Sequence, residues 1–211
     1  MEGHTARWYA HITRSEMDRF VTLARRVAAE LKPEARVLEV APGPGYFAIE
    51  LARLGRWRIT GLDISHTLVE IATRNAREAG FDIDFREGNA SAMPFPDCSF
   101  DSIVCCAAFK NFAQPVRALQ EMYRVLAPGG RALIIDLRRD ATRAGISEAV
   151  DQMHLGLVNR TITKLTFRLM LLKRAYTKAD FDRMLAQTRF ESIEIHEGSP
   201  ISYEVSMRRS A

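Results

Sequence analysis

The stretch Arg36-Val37-Leu38-Glu39-Val40, followed by Ala41-Pro42-Gly43-Pro44-Gly45, constrains this chain more than any other. A short apolar run with strand character enters two glycines spaced G-x-G. From Tyr46 to Leu54 the apolar residues recur at helical spacing, up to Gly55. A strand, a glycine turn and a helix in that order let the backbone approach a ligand closely, because glycine carries no Cβ. The unit reads as a nucleotide-cofactor site. Position 48 is Ala, so no third glycine completes the dinucleotide pattern G-x-G-x-x-G. Alanine is tolerated there, and the turn alone leaves a nicotinamide cofactor open.

Two carboxylates narrow the choice. Glu39 lies on the strand just before the turn, where it would repel a dinucleotide pyrophosphate and attract a cationic ligand group. Asp63 ends the next strand, Trp57 to Asp63, placed to accept both hydroxyls of a ribose. Asp63 suits either kind of cofactor, whereas Glu39 favours a cationic one.

Around this unit, strands and helices alternate. A helix over 15–31, with Ser15 as its cap, stops at Pro33. A helix over 67–79 is closed by Gly80, and strands follow at 83–86 and 100–106. A helix over 114–126, a Pro128-Gly129-Gly130 turn and a strand over 131–137 continue the pattern. Alternation of this kind predicts an α/β fold with a parallel sheet covered on both faces. The rhythm breaks over 138–176, where 146–158 and 163–173 read as helices. It resumes with a helix over 178–188 and a strand pair, 191–197 and 201–207. We therefore expect one domain over 1–211: a helical cap at 1–32, a cofactor core at 33–137, a helical insert between the fifth and sixth strands at 138–176, and a closing helix and strand pair at 177–211.

Five segments in order resemble one family. Val37 to Gly45 is similar to the first motif of class I S-adenosylmethionine-dependent methyltransferases, and Gly61-Leu62-Asp63-Ile64-Ser65 to the second. Glu87 to Pro96 resembles their adenine-flanking loop, and Phe100 to Val104 and Glu121 to Gly130 complete the set. Within the family the pattern is most similar to the ubiquinone and menaquinone biosynthesis subgroup. The resemblance implies a doubly wound, mostly parallel seven-stranded Rossmann-like sheet and S-adenosyl-L-methionine as methyl donor, with S-adenosyl-L-homocysteine as product. It implies that Glu39, Ala41, Gly43 and Gly45 line the methionine end, that Asp63 binds the ribose and that Ile64 meets the adenine. Asn89, Ala90 and Met93 would attend the adenine, with Cys106 and Ala107 beside the cofactor. Asn89 departs from the family's usual Asp, and Pro42 and Pro44 stiffen a turn that usually has more glycine.

The acceptor is less legible. Three segments are placed to cover the site: Ala6 to His11, Ala108 to Phe112, and the insert. Trp8 and Tyr9 either close over the cofactor or staple the N-terminal segment to the domain. The catalytic residue is unassigned. Tyr9, Lys110, His154 and Tyr176 are weak candidates and His66 a further possible base, while Lys110 reads more readily as a solvent-facing charge. Methyl transfer to an acidic acceptor depends mainly on alignment.

Between Arg138 and Arg174 eight Lys/Arg face three acids, a local charge of +5 against +4 for the whole chain. With its Met- and Leu-rich runs, the insert suits a lipophilic acceptor pocket, peripheral membrane contact through 160–174, a dimer face or plain packing on the sheet. Monomer and homodimer are both compatible. Cys98, Cys105 and Cys106 form no CxxC pair, which argues against a disulfide framework and for a reducing, cytoplasmic setting. The start carries no secretory pattern, and no metal site or nucleic-acid partner is expected. Three alternatives to small-molecule methylation stay open: RNA or protein methylation, a cofactor-binding protein without transfer, and a nicotinamide oxidoreductase, which Glu39 opposes.

Overall fold

The computed structural model describes residues 2–14, 17–151, 163, 165–166 and 172–211. Seven strands form one sheet: β1 (Arg36–Val40), β2 (Arg58–Asp63), β3 (Asp84–Glu87), β4 (Phe100–Cys106), β5 (Leu126–Leu137), β6 (Ser192–Ser199) and β7 (Ser202–Arg208). Their order is β3-β2-β1-β4-β5-β7-β6. The first five pair in parallel, and β7 is antiparallel to both β5 and β6. The chain leaves β1 toward β2 and later returns to β1's other side with β4. That reversal makes the carboxyl ends of β1 and β4 the natural crevice of an open α/β sheet.

Helices α1 (Gly3–Thr13), α2 (Met17–Ala28), α3 (Tyr46–Ala52), α4 (His66–Glu78), α5 (Pro115–Val125), α6 (Arg143–Asp151) and α7 (Lys178–Leu185) accompany the strands. Successive strand residues alternate between two cores. Leu38, Val40, Ile103, Cys105 and Ile134 pack with α5 and α7, while Val37, Val104, Leu133 and Ile135 pack with α2 and α3. This is why β1, β4 and β5 read as nearly continuous apolar runs: both of their faces are covered.

Local stops explain several helix ends. The Ser65 hydroxyl accepts the Leu68 N–H and opens α4. Gly80, at φ +82°, lets the Phe81 N–H reach the Ala76 carbonyl and close it. Thr177 and Asp180 form a reciprocal capping box at α7. Gly55, by contrast, does not stop α3, which ends at Ala52 with Arg53 as its cap. Gly55 instead makes room for the Trp57 ring, which would lie 2.5 Å from a Cβ at that position.

Other boundaries also differ from expectation. The strand at 83–86 is shifted by one residue, to Asp84–Glu87. Pro128-Gly129-Gly130 lies inside β5 rather than forming a turn before it. Leu126 already pairs with Phe100, and the Gly129 N–H donates to the Arg209 and Ser210 carbonyls, so the backbone stays bonded. Gly129, at φ +74°, takes up the irregularity.

Within the insert, α6 begins at Arg143, three residues before the expected start. The rest of the helix expected to 158, Ser15 and its cap, and most of 160–174 lie outside the described residues. Among the described residues, no helix is long and apolar enough to cross a membrane.

The N-terminal segment is a regular helix that packs on α4 through Ala6, Ala10, Leu68 and Ile71. Glu2 accepts the Thr67 N–H and hydroxyl at 3.1 and 2.5 Å, and the Tyr46 hydroxyl donates to the Ala10 carbonyl at 3.0 Å. These bonds carry α1 across the glycine turn.

Candidate cofactor site

The site is built at the carboxyl ends of β1, β2 and β4. After Val40 the chain turns through Ala41 at φ +58°, Gly43 at +54° and Gly45 at +80°. Gly45 is tightly enclosed: a Cβ there would lie 2.8 Å from the Phe85 ring and 3.0 Å from Ala72 Cβ. Glycine is required for both the conformation and the space. Gly43 lies under Tyr9, whose ring would come within 3.3 Å of a Cβ on Gly43. Tyr9 therefore reaches the turn, while Trp8 points outward, 63% exposed.

Glu39 is almost fully buried, and its Oε2 has no hydrogen-bond partner among the described residues. Burial raises its carboxyl to about 8, partly offset by a backbone bond from Ala48 and reinforced by the nearby Asp63 charge. One carboxyl oxygen thus stays without a hydrogen-bond partner among the described residues, beside a close-approach turn.

Asp63 ends β2, 5% exposed. It accepts the Gly43 N–H at 3.1 Å and the Ser65 N–H at 2.9 Å, so it ties the turn to the start of α4. Burial pushes its carboxyl up, and these two bonds pull it back. Each oxygen keeps a further acceptor position for a hydroxyl. Next to it Ile64 is 66% exposed, an apolar side chain open to a flat ring.

Asn89 Oδ1 accepts the Ser91 N–H at 2.8 Å, so its side chain shapes the 89–92 loop from within. Ala90 is half-buried on that loop. Met93 sits in the core, with its N–H donated to Glu121 at 2.7 Å. Cys106 ends β4 and Ala107 follows at φ +58°.

The candidate acid–base groups separate clearly. Lys110 is not solvent-facing. Its side chain is 9% exposed, and Nζ donates to the Ala107 carbonyl at 2.6 Å and to Asp136 at 3.0 Å. Asp136 also accepts the N–H groups of Lys110 and Leu137, at 2.8 and 2.7 Å. The pair braces the loop after β4. Its partner was hidden within the apolar run of β5, 26 residues away, and no local spacing announces it.

Tyr176 packs against Phe109 and Phe181. Burial and the Asp136 and Asp180 charges hold its phenol protonated, which suits a wall better than a base. His66 lies on the rim beside Glu87 at 3.0 Å, and its pKa is raised by that bond. His154 lies outside the described residues. Burial raises the thiols of Cys105 and Cys106, which makes both poor nucleophiles.

This sheet order, with the candidate site at the β1–β4 crevice, is a doubly wound, mostly parallel Rossmann-like fold. Residues 38–134, a little under half of the chain, match the family described as a methyltransferase domain. A demethylmenaquinone methyltransferase of Deinococcus radiodurans is 39% identical over 133 residues, covering 62% of this chain and 54% of that protein. Its counterpart from Thermus thermophilus is 40% identical over 116 residues, covering 53% of each. The chain thus spans about half the length of these curated relatives. A SAM-dependent methyltransferase structure from Aquifex aeolicus superposes with a TM-score of 0.68 at 18% identity, covering 87% of this chain and 88% of that one. At that identity the likeness concerns the fold.

Proposed function

We propose that the chain transfers a methyl group from S-adenosylmethionine to a small lipophilic acceptor of the quinol class. The observation that carries the donor is Glu39, a buried carboxyl with an orphaned oxygen directly before the glycine turn. The residues present fit the donor's chemistry. Glu39 meets the ammonium of the methionine part, Ala41, Gly43 and Gly45 allow backbone approach, Asp63 receives the ribose hydroxyls, and Ile64 with the 89–93 loop flanks the adenine. When bound, the donor supplies a methyl group on a cationic sulfur. Tyr9 reaches over Gly43 at that end of the turn.

The quinol class rests on the relatives' names, with the half-buried Phe112 and Tyr176 rings, packed on the buried Phe109 beside the β4 loop, as aromatic surface near the site. The proposed division is a cap at 1–32, a donor core at 33–137, an acceptor cover at 138–176 and a closing unit at 177–211. Incubation with methyl-labelled donor and a reduced, demethylated naphthoquinone is expected to label the ring. Labelling only of added thiols or amines, with no ring product, would refute the quinol class.

Glu39 makes a pH prediction. A folded-state pKa near 8, against 4.5 unfolded, means that the unliganded fold binds the extra proton, so Glu39's contribution to stability is full below about 4.5 and is lost as pH rises through 8. Pairing with an ammonium favours the ionised form. Binding of S-adenosylhomocysteine at pH 7 is therefore expected to release a proton from this group. Calorimetry in buffers of different ionisation enthalpy measures this release. Glu39→Gln should abolish it, weaken binding about 10- to 100-fold and stabilise the unliganded protein above pH 8.

A further inference from the structure

Helix α1 has two unlike faces. Ala6, Ala10 and Thr13 are buried, the two alanines against α4. On the outer side Trp8 is 63% exposed and Ile12 41%. They stand four residues apart, so their side chains are neighbours on the helix surface. The other large apolar side chains left exposed, Leu54, Ile64, Leu165 and Ile193, each lie in a different part of the chain. A tryptophan is seldom this open to water, since its ring carries a large apolar area. Arg7, His11 and Arg14 follow one another at helical spacing along the flank of this pair, and all three are exposed. Neither Arg7 nor Arg14 has an ion-pair partner among the described residues. Gly3 to Thr13 contains no acid, and Glu2 just before it is bonded to Thr67. On the neighbouring α4, Glu70 pairs with His66 and Glu78 with Arg74. The outer face of α1 therefore joins an aromatic–aliphatic pair to unopposed positive charge.

That combination fits the surface of an anionic bilayer, where tryptophan sits at headgroup level, an aliphatic side chain enters the acyl boundary and guanidinium groups meet lipid phosphates. We propose that the outer face of α1 docks on an anionic lipid bilayer, with Trp8 and Ile12 inserted and Arg7 and Arg14 on the headgroups. A two-fold contact between copies of this face would instead set its cations against their own kind. With two apolar side chains and few cations, the attachment is weak and reversible. The face stands over the glycine turn, because Tyr9, next to Trp8, reaches Gly43, and the Tyr46 hydroxyl bonds to the Ala10 carbonyl. Docking by α1 holds that side of the molecule near the phase in which a lipophilic acceptor dissolves. This last consequence rests on the acceptor reading above, whereas the docking itself does not.

Flotation with vesicles of mixed phosphatidylcholine and phosphatidylglycerol, against vesicles of phosphatidylcholine alone, tests this. The protein is expected to float with the anionic vesicles and less with the neutral ones. Trp8→Ser should lower the vesicle affinity about tenfold or more. Arg7→Gln combined with Arg14→Gln should lower it about 5- to 30-fold, on the anionic vesicles only. The fluorescence that Trp8→Ser removes should shift to the blue on vesicle binding and lose its access to aqueous acrylamide. Both variants should unfold at the temperature of the unsubstituted protein, because these side chains face water. Absence of flotation, or flotation that Trp8→Ser leaves unchanged, overturns the proposal. Trp8-dependent self-association without vesicles, read by analytical ultracentrifugation, assigns the face to a second copy and overturns it too. Methylation of a water-soluble quinol in solution tests the acceptor reading separately, so failure of the docking and failure of that reading are told apart.

Discussion

Asp63→Ala is expected to weaken binding of S-adenosylhomocysteine by at least about 100-fold and to lower the unfolding temperature of the unliganded protein. Both effects have the same origin. Asp63 is 5% exposed and serves two functions at once. Toward the protein it accepts the Gly43 and Ser65 N–H groups, holding the turn against the start of α4. Under the proposed donor reading, its remaining acceptor positions take the ribose hydroxyls. Removing it strands two backbone donors in a buried corner, a cost of roughly 2 kcal/mol or more, or about 4–8 °C for a chain of this size. It also deletes two charge-assisted ligand bonds of about 1.5–3 kcal/mol each, enough for the 100-fold loss. Asp63→Asn keeps one acceptor oxygen and should fall between the two. Thermal unfolding and calorimetry read the two effects separately. A variant that lost stability but bound normally would show that Asp63 serves the fold alone.

Lys110→Met is expected to destabilise the protein by about 3–5 kcal/mol, although Lys110 lies outside the donor-binding turn. The substitution leaves Asp136, whose side chain is 1% exposed, without its cation. The N–H bonds from Lys110 and Leu137 survive, because they come from the backbone. The double variant Lys110→Met with Asp136→Asn removes the stranded charge as well, and should recover a large part of the loss. Denaturant unfolding of the four proteins in this cycle gives the coupling directly. An additive cycle would mean that the pair contributes nothing as a pair. Because Nζ also holds the Ala107 carbonyl, the single variant should loosen the loop that follows β4.

How much of this was legible depended on whether a residue's partner lay nearby in the sequence. The strand, glycine turn and helix were readable because their geometry is local. Asp63 was readable because it ends the adjacent strand. The doubly wound sheet followed from uninterrupted apolar runs, which only a strand covered on both faces needs. The ion pair of Lys110 with Asp136 was not readable, because Asp136 sits inside such an apolar run and looks like part of it. The contact of Arg19 with Cys106 was not readable either, being made across the domain. Within the helical cap expected at 1–32, helix α1 had no bounds of its own because Gly3, His4 and Thr5 weaken its helical pattern. Its order comes instead from packing on α4 and from the Glu2–Thr67 bonds. Pro128-Gly129-Gly130 reads as a turn by composition, yet bonds from the C-terminal residues hold it within a strand.

The site's identity as a methyl-donor site is tested most directly by calorimetric titration of the unsubstituted protein with S-adenosylhomocysteine and, in parallel, with NADH. Saturable one-to-one binding of S-adenosylhomocysteine, with proton release at pH 7 and no response to NADH, is the expected result. Tight NADH binding with no heat from S-adenosylhomocysteine would contradict it.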